Sequence, residues 1–329
     1  MSEEYLNDLD VTQSVRVSDP EAVKTEVLSL FSLNFPGVDC LSLEKSFDLF
    51  TQLYQGRLIG YHPCDTLYHD LQHSLDIALT TARLLRGYHK VHGSITNDQI
   101  LLGIVTALFH DAGYIRHKSE RNHENGADYT SIHVSRSAEF MLQHLPKIGL
   151  ADIAKRAAQI VHLTGYEIEP QLIQPELPSD RLIGDIVATA DLITQIADRC
   201  YLEKCRDRLF PELILGADAN QTNNAPVPIY RSAEELLLNT PSFYRLHVRH
   251  RLEHHFKSVF QYTAAYFNGP NYYMLSIDNN IQYLEKLIER LEFDLLRRDL
   301  PKNHGEKVFP YYRLDLLLNP GRQLKSAAR

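Results

Sequence analysis

No stretch of about 18 uninterrupted apolar residues occurs in this chain, so a membrane-spanning helix is not expected. The four cysteines, Cys40, Cys64, Cys200 and Cys205, include no C-x-x-C pair. That spacing fits unpaired core or surface thiols in a reducing compartment, and argues against cysteine ligands. An excess of positive charge is also missing, since 34 Lys and Arg stand against 42 Asp and Glu, a net charge of −8. Such a balance argues against general binding to nucleic acid or to an anionic membrane surface. Met1-Ser2-Glu3-Glu4-Tyr5 lacks the basic-then-apolar pattern of a signal peptide, and the expected location is the cytosol. Period-two alternation persists nowhere, and there are no internal repeats or low-complexity tracts. What remains is an all-α reading.

With 329 residues, 44% hydrophobic and 23% charged, the chain can bury a sizeable core as an ordinary globular protein. Residues 1–19 are polar and acidic and read as a loosely ordered arm, and residues 20–215 as a helical core. Asp19-Pro20-Glu21 is an N-cap and first-turn signature, opening a helix through Val23, Val27 and Phe31 that stops near Pro36-Gly37. A second helix is predicted from about Leu41 to Tyr54. A third starts after Pro63 and runs to Gly87, and a fourth, capped by Thr96-Asn97-Asp98, ends on His110. Polar residues 114–131 predict a loop over the site. Residues 165–180 predict a second loop, and residues 216–228 an Asn- and Pro-rich divider. Residues 229–329 then read as a C-terminal helical extension packed on the core. Its His247, His250, His254 and His255 read as a solvated or hydrogen-bonded helix face, and Ile281, Leu284, Ile288, Leu291 and Leu295 as a stripe packed on the core.

Two strings carry chemistry. Tyr68-His69-Asp70-Leu71-Gln72-His73 places two imidazoles four residues apart, on one face of a predicted helix. His110-Asp111 closes the apolar run 100–109. Burying an imidazole beside a carboxylate is costly unless each has a partner, and a divalent cation suits both. His133, His162 and Asp191 follow, each on a segment with helical apolar spacing. Helical bundles gather inward-facing metal ligands from several helices. The ordered set His73, His110, Asp111, His133, His162, Asp191 has that form, and suits one or two ions of Mn, Fe, Ni, Co, Zn or Mg.

In these motifs the chain resembles the HD-domain metal-dependent phosphohydrolase superfamily, and its first motif is closest to that of the cyclic-nucleotide phosphodiesterases. There the signature reads Tyr-His-Asn-x-x-His, then small and apolar residues and Asp. Here it stands as Tyr68-His69-Asp70-Leu71-Gln72-His73-Ser74-Leu75-Asp76-Ile77, with Asp70 in place of Asn. Ala107-Leu108-Phe109-His110-Asp111-Ala112-Gly113-Tyr114 matches the His-Asp helix end, and Thr189-Ala190-Asp191-Leu192-Ile193 the late helical Asp. The resemblance covers about residues 55–210. The Gly-Tyr-Pro signature of the cyclic-dinucleotide branch is absent, its double His is reduced to His162-Leu163, and the nucleobase-clamping Gln segment has no clear counterpart.

The resemblance implies an HD-domain helical bundle and hydrolysis of a cyclic nucleotide or related nucleotide phosphoester by metal-activated water. Asp111, with two oxygens, can bridge two metals, with His73, His110 and Asp191 completing one and His133 and His162 available for the other. His69 is then in place to act as general acid, and an imidazole has the pKa for it. Gln195, one turn after Asp191, is a candidate substrate contact, and Arg116 and Lys118 a candidate phosphate clamp. The expected partner is a small nucleotide-like phosphoester, and a homodimer is compatible with the sequence. The same ligand order also resembles the HD-domain mixed-valent diiron oxygenases, against which stands His69 in its Tyr-His-x-x-x-His context. A non-catalytic metal-binding interaction module is the third reading, against which stands the full ligand set.

Overall fold

The computed structural model describes residues 6–32, 35, 37–220 and 230–319. The fold is all-α. Among the described residues the only extended pairings are isolated bridges, Leu9 with Arg16 and Tyr61 with His117. No helix among them is long and apolar enough to cross a membrane.

Local signals start three of the first four helices where the sequence places them, whereas the third begins only at Leu71 and not just after Pro63. Helix α1 (Pro20–Ser32) has proline at its first position, with the Asp19 carboxylate accepting the Glu21 N–H at 3.0 Å. Helix α2 (Cys40–Tyr54) is capped by Asp39, which accepts from the Ser42 N–H at 3.0 Å. Helix α3 (Leu71–His92) ends at Gly93, which is left-handed, and α4 (Asn97–Phe109) opens on the reciprocal Thr96 and Gln99 capping box. Every residue of α4 from Ile100 to Phe109 is buried. A helix apolar all round belongs at the centre of the bundle. Accordingly α4 packs against α2, α3, α6 (Ala151–Ile160) and α7 (Asp180–Ala197), while α5 (His133–His144) packs on α6.

After α7, a helical turn at Tyr201–Lys204 runs through a π-helical stretch, Cys205–Leu209, into α8 (Phe210–Asn220). Residues 216–220 are therefore helical instead of part of a divider, and the rest of that divider lies outside the described residues, as does Pro36. The extension comprises α9 (Ala233–Phe243), α10 (Tyr262–Phe267), α11 (Tyr272–Arg290) and α12 (Tyr311–Leu318). Helix α10 packs on α3 and α11 on α7, and Ile277, Ile281 and Leu284 are fully or nearly fully buried. The apolar stripe ends sooner than expected, because Leu291 is left-handed beyond the end of α11 and is 76% exposed, with Leu295 43% exposed.

Two further expectations are corrected. Gly87 does not stop α3. A Cβ there would stand 1.8 Å from the Tyr262 carbonyl oxygen, so the glycine lets α10 approach the last turns of the helix. The described part of the N-terminal arm, residues 6–19, is not loose. Val15 and Val17 are buried in the core, and Asp10 accepts from the Val15 N–H and from Arg83, each at 2.7 Å. Arg83, wholly inside on α3, also donates to the Tyr273 hydroxyl at 2.8 Å. Burial alone would raise the Asp10 carboxyl, but Arg83 and the N–H donors hold it below the usual carboxylate range. A buried guanidinium demands such a partner. Asp10→Ala should therefore cost about 3–5 kcal/mol, read as a lower midpoint of denaturant unfolding. A midpoint unchanged from the wild type would show that the arm contributes nothing.

Candidate metal centre

His69 does not sit on α3. Asp70 is the N-cap of that helix, its Oδ1 accepting the His73 N–H at 2.9 Å, so the chain turns at Asp70 and His69 precedes the first turn. The predicted shared helix face is thus corrected, yet the His69 and His73 rings still lie 5.5 Å apart. The other Asp70 oxygen accepts from Asn303 Nδ2 at 3.0 Å and lies 3.6 Å from Arg208. Position 70, where the resembling motif has Asn, is thereby tied to the C-terminal segment.

The remaining groups come from three further elements. His110 terminates α4, and its Nδ1 bonds the Ala107 carbonyl at 2.8 Å, which leaves Nε2 for the interior. Asp111 follows it, Asp191 lies in the middle of α7, and His133 opens α5 with Nδ1 on the Thr130 carbonyl at 2.7 Å. Backbone partners of this kind fix which imidazole nitrogen is left for a metal.

The inward atoms converge. His73 Nε2 is 3.4 Å from Asp111 Oδ2 and 3.4 Å from Asp191 Oδ1. His110 Nε2 is 3.1 Å from Asp111 Oδ2 and 3.9 Å from Asp191 Oδ1, and His133 Nε2 is 3.6 Å from Asp111 Oδ1. Bonds of ~2.1 Å to a common ion would set its ligand atoms about 3.0–3.4 Å apart, which most of these separations match. Two overlapping sets could each hold a cation, His73 with His110 and Asp191, and His69 with His73 and Asp111.

The donor set passes a separate test. His110 Nε2 and Asp111 Oδ2 are buried, and apart from their mutual 3.1 Å approach neither has a hydrogen-bond partner, a costly state for such atoms in the absence of a ligand to share. Burial drives the His110 imidazole toward neutrality, but Asp111 and then Asp191 outweigh it and raise its pKa to about 9. Burial would likewise raise Asp111, yet His110, His69 and His73 hold it well below the carboxylate range. The carboxylates thus draw positive charge into a dry site, where a divalent cation would supply it.

One residue the sequence reading missed stands beside this cluster. Glu212 of α8, almost wholly buried, pairs with His69 Nδ1 and accepts the Tyr68 N–H at 2.7 Å. The available signal was a lone acid inside the apolar stretch Phe210-Pro211-Glu212-Leu213-Ile214. Burial pushes the His69 pKa down, but Glu212 and then Asp111 more than reverse this and raise it to about 9. Tyr114 stacks on His69 at 4.6 Å and on His133 at 4.4 Å, holding both rings in near-parallel planes.

Of the other candidates, Gln195 joins the site but faces its protein neighbours. Its Nε2 donates to the Asp191 carbonyl at 3.0 Å and carboxylate at 3.3 Å, and its Oε1 accepts from the Tyr68 hydroxyl at 2.9 Å. With Tyr68, Gln72, Asp198 and Lys204 it lines a polar recess beside His73. Arg116 is not brought in, since Asp65 takes its guanidinium at 2.7 Å. Lys118 is exposed and has no side-chain partner among the described residues. His162 lies in the turn after α6, with Nδ1 buried and unpartnered, and among the described residues no ion pair joins it to the cluster.

The family described as Npun_R2479-like matches residues 58–131, the segment that carries His69, His73, His110 and Asp111. A comparison with curated proteins finds none that matches. The fold is similar to the phosphodiesterase domain of the RhoPDE fusion protein from the choanoflagellate Salpingoeca rosetta, with a TM-score of 0.55 and 16% identity over 88% of this chain and 97% of that one. The architecture is thus a phosphodiesterase-like helical fold.

Proposed function

We propose that this chain is a metal-dependent phosphohydrolase of the HD-domain type, cleaving a cyclic nucleotide or related nucleotide phosphodiester. The observation that carries the reading is a pair of the partly exposed His69 with the buried Glu212, directly beside the cluster of His73, His110, Asp111 and Asp191. Those four would hold one divalent cation, and Asp111 with His133, and His162 further out, would serve a second. Bound there, such ions acidify water and neutralise phosphoryl oxygens.

The chain's own residues complete the chemistry. Glu212 accepts a hydrogen bond from the Nδ1–H of His69, which holds that proton on Nδ1 and leaves Nε2 to carry the proton that is given up. With its pKa near 9, His69 is protonated at neutral pH and can pass that proton to the departing alkoxide oxygen. Tyr114 keeps the His69 ring in plane, and Gln195 holds Asp191 by its carbonyl and by the Oδ1 that also faces His73. Likeness of fold to a phosphodiesterase domain supports the same reading. The oxygenase alternative leaves the His69–Glu212 pair without a task.

Cyclic mononucleotides, cyclic dinucleotides and nucleoside phosphates, each assayed with Mn, Fe, Ni, Co, Zn and Mg, test the proposal. Ester cleavage that depends on metal and stops with a chelator is expected. Aerobic, iron-dependent oxygen uptake without ester cleavage would overturn it.

A further inference from the structure

A cavity of about 210 Å³ lies between the residues just after α7 and the segment that follows α11. It contains none of the residues of the metal centre. Its walls are a connected frame. Arg199 Nε donates to Asn7 Oδ1 at 3.1 Å, Asn7 Nδ2 donates to the Asp299 carbonyl at 3.0 Å, and Arg298 Nη1 donates to the Arg199 carbonyl at 3.0 Å. Arg298 is balanced by the buried Glu203, 3.6 Å away, and Arg297 by Asp294 at 3.1 Å. Arg199 forms no ion pair with a carboxylate among the described residues, though it lines the same cavity as the other two arginines.

Arg199 is thus the arginine of the three whose charge no carboxylate offsets among the described residues, and a planar fork of N–H donors is suited to the oxygens of a phosphate. Asp299 also lines the cavity, and its negative charge would repel a bare dianion, whereas a carboxylate suits the hydroxyls of an attached sugar. Tyr283 and Leu295 add an apolar side. We propose that this cavity binds a phosphomonoester carrying a hydroxylated group, of the nucleoside monophosphate kind, with its phosphate on Arg199.

Isothermal titration of the full-length, metal-loaded protein with AMP, inorganic phosphate and adenosine tests this, and its readout does not depend on phosphodiesterase activity. AMP is expected to bind more tightly than inorganic phosphate, and adenosine not to bind. Arg199→Gln should weaken AMP by about tenfold or more, with melting temperature and AMP-free turnover kept, and Arg199→Lys should recover part of the loss. The exposed Arg297→Gln should give a smaller loss in the same direction, which stands as a test even if Arg199→Gln fails to fold. Undiminished AMP affinity in both glutamine variants would place AMP elsewhere and overturn the proposal. So would adenosine binding as tightly as AMP, or no AMP binding at all.

Discussion

Asp111→Ala is expected to abolish phosphoester hydrolysis and to lower bound metal in the same preparation. The carboxylate of Asp111 faces His73 and His110 through one oxygen and His133 through the other, so both halves of the cluster lean on it. Its removal also leaves the buried His110 imidazole without the anion that most raises its pKa, and part of the effect will be lower stability. Asp111→Asn separates the two contributions, because it keeps the volume and a single carbonyl acceptor while losing the charge. Metal analysis and turnover should fall together in both variants. Full metal occupancy with normal turnover in either would rule out Asp111 as a shared ligand.

His69→Ala separates proton transfer from metal binding. The variant should keep its metal, because His73, His110, Asp111 and Asp191 are untouched, and should lose about 10²–10⁴-fold in turnover on a substrate with a poor alkoxide leaving group. An aryl phosphodiester, whose phenolate needs little protonation, should show a much smaller loss. Equal losses on the two substrates would reject the general-acid role, and loss of metal would make His69 a ligand, as its place in the His69, His73, Asp111 set would then suggest. The partner residue supplies a pH signature. A general acid works only while protonated, so activity falls as pH rises through the pKa of His69, about 9. Glu212 is the largest upward influence on that value, and Glu212→Gln removes it, leaving only Asp111 and Asp191 to oppose burial. The alkaline limb of the rate profile should therefore move to lower pH. A limb that stays in place would dissociate Glu212 from the proton donor.

Much of the architecture was legible because its causes are local. The Asp19-Pro20 start, the Thr96 capping box and the unbroken apolar run of α4 act within a few residues of one another, and each produces its helix wherever the rest of the chain goes. The residues that meet in the cluster were legible too, since a His-Asp pair at the end of a buried helix has few other ways to be satisfied. What the sequence could not settle was which buried charge meets which. Asp70 reads as one more helical residue until its carboxylate is seen closing on the His73 N–H, which puts His69 ahead of the helix. Arg116 reads as a free cation until Asp65 is found beside it, and residues 6–19 read as a loose arm until Arg83 is found needing Asp10. Glu212 lies 143 residues from His69, and only the packing of α8 beside the start of α3 brings the acid to the imidazole. By itself the sequence determined the helices and the kinds of side chain that meet in the cluster, through interactions spanning a turn or two. The tertiary structure alone decided the pairings, because a buried ion takes whichever opposite charge the packed helices bring within about 3–4 Å, and that neighbour is set by the whole fold.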